Sequence, residues 1–289
     1  MLTKEQFHSI VAHGPVLLDG ATGSNLQKAG MPRGCCTEAW ILEHPEALVD
    51  LQRRYAQAGS RILYAPTFQA QPIALAKAGL DHRTESINAQ LTALTRSAAP
   101  ECLVAGNLTT LAAFTDSWDE RNFDLLVENY RRQIRGLIDG GVDLLAAETL
   151  MYPTEAEAIL CAAELEGAGA AMYTFTMQSD GSLFSGRDAG PILRFLEESG
   201  AAAVGFNCVA ADMLTPSLVS RLRRFVKGPL VCKPNAGIPV IGDAAIPHYP
   251  MKPAEFAEIL RDCRNNGAAI LGGCCGTAPE FIAAVKERL

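Results

Sequence analysis

The chain has 289 residues, 48% of them hydrophobic and 20% charged, with a formal net charge of −7. That length and apolar content suit two small domains or one large α/β barrel, and exclude a disordered tail. The acidic balance disfavours nucleic acid or an anionic membrane surface as a partner, and no run of about 18 apolar residues offers a membrane span.

A helical pattern over residues 4–12 precedes the apolar run Pro15-Val16-Leu17-Leu18, which ends at Asp19-Gly20. Short continuous apolar runs are what strands covered on both faces look like. A glycine-rich turn and short helix follow, then a loop with Pro32 and the pair Cys35-Cys36, then a helix over 45–58 with Pro45 in its first turn. The rhythm then repeats. Strand-like runs at 61–65, 102–105, 142–147, 170–175, 201–206, 229–232 and 268–271 alternate with helical segments at 72–78, 84–98, 123–139, 153–166, 189–198, 215–226, 253–265 and 277–289. Thr215 reads as an N-cap, with Pro216 in the first turn after it.

Eight strand-then-helix units without a composition break predict a parallel sheet. At this length the expected solution is α/β, a (β/α)₈ TIM barrel, forming one domain over residues 1–289. An open doubly wound sheet is the alternative, but Asp19-Gly20-Ala21-Thr22-Gly23-Ser24 lacks the G-x-G-x-x-G spacing of a dinucleotide fingerprint.

In such a barrel the C-terminal strand ends share one face, where active sites sit. Here those ends carry Asp19, Thr67, Glu148, Cys208, Asn235 and the pair Cys274-Cys275. Strands six and eight are two apart around the ring, so Cys208 can face the paired cysteines across the mouth. Three thiolates suit zinc far better than magnesium or calcium, and three protein ligands leave the fourth position open, as in catalytic sites. Cys35-Cys36 is a possible source of a fourth thiolate. The competing structural readings are small residues in tight turns for the cysteines, and loop or helix capping for Asp19 and Glu148. The count of nine cysteines is odd, and the chain is too large to need a disulfide framework, so reduced thiols in the cytoplasm are expected. The opening residues carry no secretion signal of the basic-then-apolar kind.

Taken together, Asp19-Gly20-Ala21-Thr22-Gly23-Ser24, Thr67-Phe68, Glu148-Thr149, Gly205-Phe206-Asn207-Cys208, Pro234-Asn235-Ala236-Gly237 and Gly272-Gly273-Cys274-Cys275-Gly276-Thr277 resemble the homocysteine S-methyltransferase family, which includes the homocysteine-binding domain of cobalamin-dependent methionine synthase. The pieces come in the family's order over nearly the whole chain. The resemblance implies Zn2+ held by Cys208, Cys274 and Cys275 as the catalytic centre, with the homocysteine thiol in the open position. It also implies substrate contacts from Asp19, Thr67, Glu148 and Asn235. Asp19 and Glu148 would hold the ammonium group, and Asn235 would take the fourth zinc position while substrate is absent.

The chemistry follows from the ligand set. A free thiol is only a few per cent thiolate at neutral pH, and binding to zinc deprotonates it. Three cysteinates leave the ion formally anionic, so a fourth thiolate is held loosely and stays reactive. No general base is needed. No cobalamin-binding segment is recognisable, which makes a separate corrinoid protein the expected methyl donor, with S-methylmethionine, S-adenosylmethionine or betaine as alternatives. The segment 247–253 onward looks most like the methionine synthase barrel, and Thr149 stands where the betaine enzyme has an aromatic residue. Gln69 and the stretch Gly106-Asn107-Leu108-Thr109-Thr110 depart from the family's pattern and leave the acceptor open to another small thiol. Two other classes remain: a non-catalytic zinc-binding partner of a corrinoid protein, and a phosphate-ligand lyase or aldolase barrel using Gly276-Thr277 as an anion site, which lacks a Schiff-base lysine near a strand end other than Lys233.

Overall fold

The computed structural model describes residues 1–214, 216–241 and 247–289. Eight parallel strands form the ring: β1 (Val16–Leu17), β2 (Ile62–Tyr64), β3 (Leu103–Thr109), β4 (Leu144–Leu150), β5 (Ala171–Phe175), β6 (Ala203–Ala210), β7 (Leu230–Asn235) and β8 (Ile270–Leu271). They pair in chain order, and β8 pairs with β1. A parallel bridge between Leu18 and Ile62, with Arg61 N donating to Leu17 O at 2.8 Å, joins β1 to β2 and closes the ring. This is the expected (β/α)₈ barrel, and the doubly wound alternative is excluded by that closure.

The continuous apolar runs divide by parity, because successive strand residues point to opposite faces. Val16, Ile62, Ala105, Leu144, Met172 and Val231 fill the barrel interior, and the helix Lys4–Ala12 adds Phe7 to that cluster. Their neighbours Leu17, Leu63, Val104, Leu145, Tyr173 and Leu230 belong to the larger cluster between strands and helices.

Parity also explains where the strands exceed the sequence reading. β3, β4, β6 and β7 continue past their apolar runs. The added residues Asn107, Glu148, Asn207 and Lys233 keep the inward parity of Ala105, Ala146, Gly205 and Val231, two positions on along each strand. A polar residue after an apolar run reads as a turn, yet here it forms the top layer of the barrel interior.

The helices follow expectation closely, with two differences. Residues 37–43, read as loop, form a seven-residue helix, Thr37–Glu43, too short to show a period. The helix expected from 215 is observed as Pro216–Arg223, and the proposed N-cap Thr215 lies outside the described residues.

Candidate metal centre

The site begins with two irregular strand ends. β6 shifts register between Asn207 and Ala210, and β4 between Ala147 and Leu150. Inside these bulges Cys208 and Thr149 both have φ of 57°, the only non-glycine residues with positive φ among those described. Such a conformation costs about 1–3 kcal/mol and persists only where its surroundings impose it. The imposing group is Asn207. Its Oδ1 accepts from Thr149 N at 2.7 Å and from Thr174 Oγ1 at 2.9 Å, and its Nδ2 donates to Thr149 Oγ1 at 2.7 Å.

The paired cysteines follow β8 in a turn pinned from three sides. Cys274 N donates to Pro234 O at 2.7 Å, Cys275 N donates to Asn235 Oδ1 at 3.1 Å, and Thr277 Oγ1 donates to Cys274 O at 2.7 Å. Gly276 is left-handed at φ 81°, and a Cβ there would sit 2.2 Å from the Tyr249 ring. Gly272 and Gly273 do not share that freedom. A Cβ on either would collide with Leu18 or Thr277, so they serve close packing.

The sulfurs of Cys208, Cys274 and Cys275 all lie within 4.8 Å of one another. Tetrahedral corners about 2.3 Å from an ion stand about 3.8 Å apart, so this set fits zinc with small adjustments. No other group of three potential ligands converges in this way among the described residues. Cys35 and Cys36 stand outside the cluster, donating instead to Pro32 O and to Glu38 Oε2, and supply no fourth thiolate here. The three thiols are coupled by hydrogen bonds. Bonding to Cys274 and Cys275 holds the Cys208 thiol up, while hydrogen bonds from Cys208 and Cys274 push Cys275 well below the ordinary thiol range. Tyr249 also hydrogen-bonds the Cys275 sulfur, and Asn207 Nδ2 lies 3.9 Å from that of Cys274.

The cysteines line a cavity of about 280 Å³ together with Asp19, Tyr64, Asn107, Glu148 and Lys233. Asp19 is buried; its Oδ2 accepts from Tyr64 N at 2.8 Å, and its Oδ1 has no partner. Burial pushes the Asp19 carboxyl up to about 7, against the pull of Lys233. Burial raises Glu148 as well, again opposed by Lys233. Burial would by itself lower the Lys233 ammonium, but Glu148, Cys274 and Asp19 outweigh it and hold it protonated.

Two other sequence candidates stand apart from the cavity wall. Thr67 is fully buried, and its hydroxyl donates to Asn107 O at 2.9 Å and accepts from Asn107 N at 3.0 Å, stitching β2 to β3. Asn235 is occupied with the Cys275 backbone, holding the cysteine turn. The sequence reading missed Lys233 and Asn107 as cavity residues, Tyr249 beside the sulfur, and Glu38, whose Oε1 accepts from Gln69 N at 2.9 Å. Inward parity on β3 and β7 was the signal available for the first two. The anion-site alternative loses its group, since the Thr277 hydroxyl is spent on Cys274 O and on Ala21 N at 3.2 Å.

Comparison with known proteins agrees with this geometry. The homocysteine S-methyltransferase family profile matches residues 16–289. The chain belongs to the homocysteine S-methyltransferase family. It is 30% identical to homocysteine S-methyltransferase from Escherichia coli, over 94% of both chains. It is 27% identical to the methionine synthase of Mycobacterium leprae over 94% of its own length, and spans 24% of that protein. Among solved structures, the metallated form of the homocysteine methyltransferase MmuM from Escherichia coli superposes with a TM-score of 0.82 at 26% identity, covering 96% of each chain. Family membership makes this barrel a methyltransferase of the homocysteine S-methyltransferase type.

Proposed function

We propose that residues 1–289 form one homocysteine-binding barrel that moves a methyl group onto the thiol of homocysteine, giving methionine, with zinc held by Cys208, Cys274 and Cys275. The observation that carries this reading is the convergence of three sulfurs in a cavity that also presents an unpartnered carboxylate oxygen, Asp19 Oδ1. Zinc bound there would acidify the acceptor thiol and so favour the thiolate, its nucleophilic form.

The chain's own residues do the rest. Asp19 and Glu148 bring carboxylates to the cavity, and Asp19 keeps an unpartnered oxygen that suits an α-ammonium group. Asn207 and the 272–277 turn fix the sulfurs, so the work left is to place one acceptor sulfur in line with an incoming methyl carbon. The S–CH₃ bond forms as the donor's bond to that carbon breaks, the electron pair leaving with the donor.

The donor we favour is a methylated corrinoid carried on a separate protein. Trp118, Phe184, Met213 and Ile238 are exposed on segments that follow β3, β5, β6 and β7, the face onto which the cysteines open. A protein-borne methyl group would have apolar surface to dock against there, and a small sulfonium donor would have no use for it.

The test is methyl transfer to homocysteine with a methylated corrinoid protein, S-methylmethionine, S-adenosylmethionine and betaine in turn, beside metal analysis of protein purified reduced and without chelators. One zinc per chain and transfer from the corrinoid protein are expected. Absence of zinc would sink the metal assignment, and full turnover with S-methylmethionine alone would overturn the donor assignment.

A further inference from the structure

Three carboxylates line the cavity. Glu38 is engaged at both oxygens, by Gln69 N and by the Cys36 thiol, and the other two are not equivalent. Glu148 is already engaged. Its Oε1 accepts from Asn107 Nδ2 at 2.9 Å, and its Oε2 pairs with Lys233 Nζ at 3.0 Å and lies 3.5 Å from Asn207 Nδ2. The pair is almost out of solvent, with side-chain exposures of 4% for Lys233 and 8% for Glu148. The ammonium of Lys233 also stands 4.8 Å from the centre of the Tyr64 ring, which fixes it between β7 and β2. Asp19, by contrast, keeps one buried oxygen without a donor.

A buried ammonium already sits on one carboxylate, then, while the other waits for a cation. From these contacts we infer that Lys233 is the specificity-determining residue of the cavity. It neutralises Glu148 as an internal ammonium, leaving Asp19 as the single carboxylate that receives the α-ammonium of an amino-acid thiol. The inference rests on the reading of the cavity as an amino-acid site. With Asp19 ionised, Asp19, Glu148 and Lys233 together carry one net negative charge, the complement of one ammonium group. Removing the lysine leaves Glu148 without its cation, so an incoming ammonium group can pair with either carboxylate. Removing Glu148 leaves an unpaired buried cation where a cationic substrate must enter. A buried charge stripped of its partner dominates its surroundings, because little water screens it.

The experiment is calorimetric titration of the zinc-loaded full chain with L-homocysteine and with 4-mercaptobutanoate, which keeps the thiol, chain length and carboxylate but lacks the amino group. The readout is the ratio of the two affinities. In the wild type the ratio favours homocysteine. In Lys233→Met it rises about tenfold, since Glu148 now adds a second unpaired carboxylate. In Glu148→Gln it collapses, because the freed Lys233 repels the ammonium. In the double variant, which removes both charges, it returns to the wild-type value.

A purely structural role for the ion pair would weaken both ligands alike, so an unchanged ratio in Glu148→Gln overturns the inference. A double variant that discriminates no better than Glu148→Gln also overturns it, since Glu148 would then be contacting the ammonium directly. Should Lys233→Met fail to fold, these two variants still decide. A wild-type ratio near one would instead defeat the amino-acid reading of the cavity, and so separates the two failures.

Discussion

Asn207 on β6 and Thr149 on β4 meet over the intervening strand through two hydrogen bonds of 2.7 Å, Thr149 N donating to Asn207 Oδ1 and Asn207 Nδ2 donating to Thr149 Oγ1. One amide thereby holds the left-handed backbone of Thr149 and, being next in sequence to Cys208, ties that strain to a sulfur of the metal centre. Asn207→Ala removes both bonds and leaves Thr149 N–H without its acceptor. Stability falls by about 2–3 kcal/mol in denaturant unfolding. Zinc affinity falls about 10- to 100-fold in a chelator competition, as for other groups that orient ligands. A variant that unfolds earlier yet keeps full zinc affinity would separate the bulge from the site.

The three sulfurs act as one ligand set, so the metal is expected to respond to any one of them. Cys274→Ala or Cys208→Ala abolishes stoichiometric zinc, measured by elemental analysis, while far-ultraviolet circular dichroism keeps the barrel's signature. Cys35→Ala leaves zinc at one per chain, because that sulfur is exposed and faces Pro32 O.

Asp19 gives stability a pH dependence of unusual sign. Burial raises its carboxyl to about 7, whereas the unfolded chain releases the same proton near the ordinary value of about 4. Between those pH values the folded state holds more protons than the unfolded one. The contribution of Asp19 is therefore most favourable below about pH 4, is lost as pH rises to about 7, and is level above that. Asp19→Asn removes this slope and stabilises the ligand-free protein near pH 8, by an amount on the order of 4 kcal/mol at most. Unfolding curves of both proteins at pH 4 and 8 check it; an equal difference at both values would contradict the buried, protonated carboxyl.

Homocysteine affinity should show the matching trend. An ammonium binds the ionised carboxylate, so affinity rises with pH up to about 7 through Asp19 and then levels. In Asp19→Asn that rise is missing from the calorimetric pH profile.

Gly276 carries the clearest backbone demand in the cysteine turn. Gly276→Ala places a Cβ in a left-handed residue and against the Tyr249 ring, so the ring must move and take its hydroxyl from the Cys275 sulfur. A loss of about 2–3 kcal/mol in stability is expected. Thermal unfolding of the variant with and without zinc measures it.

Much of this protein was legible in its sequence. Eight apolar runs between helices determine a parallel barrel, because strands covered on both faces need no polar alternation. Cys208, Cys274 and Cys275 at strand ends determine where the soft ligands gather, because parallel strands deliver all their ends to one face. The tertiary structure alone decided which polar residues enter the cavity. Thr67 and Asn235 sit at strand ends like Glu148, yet the Thr67 hydroxyl and Asn235 Oδ1 bond to backbone, whereas Lys233 and Asn107 point inward by strand parity. The pairing of Lys233 with Glu148 joins residues 85 positions apart. No local pattern encodes that contact, since it exists only once the ring has closed and water has been removed from around both charges.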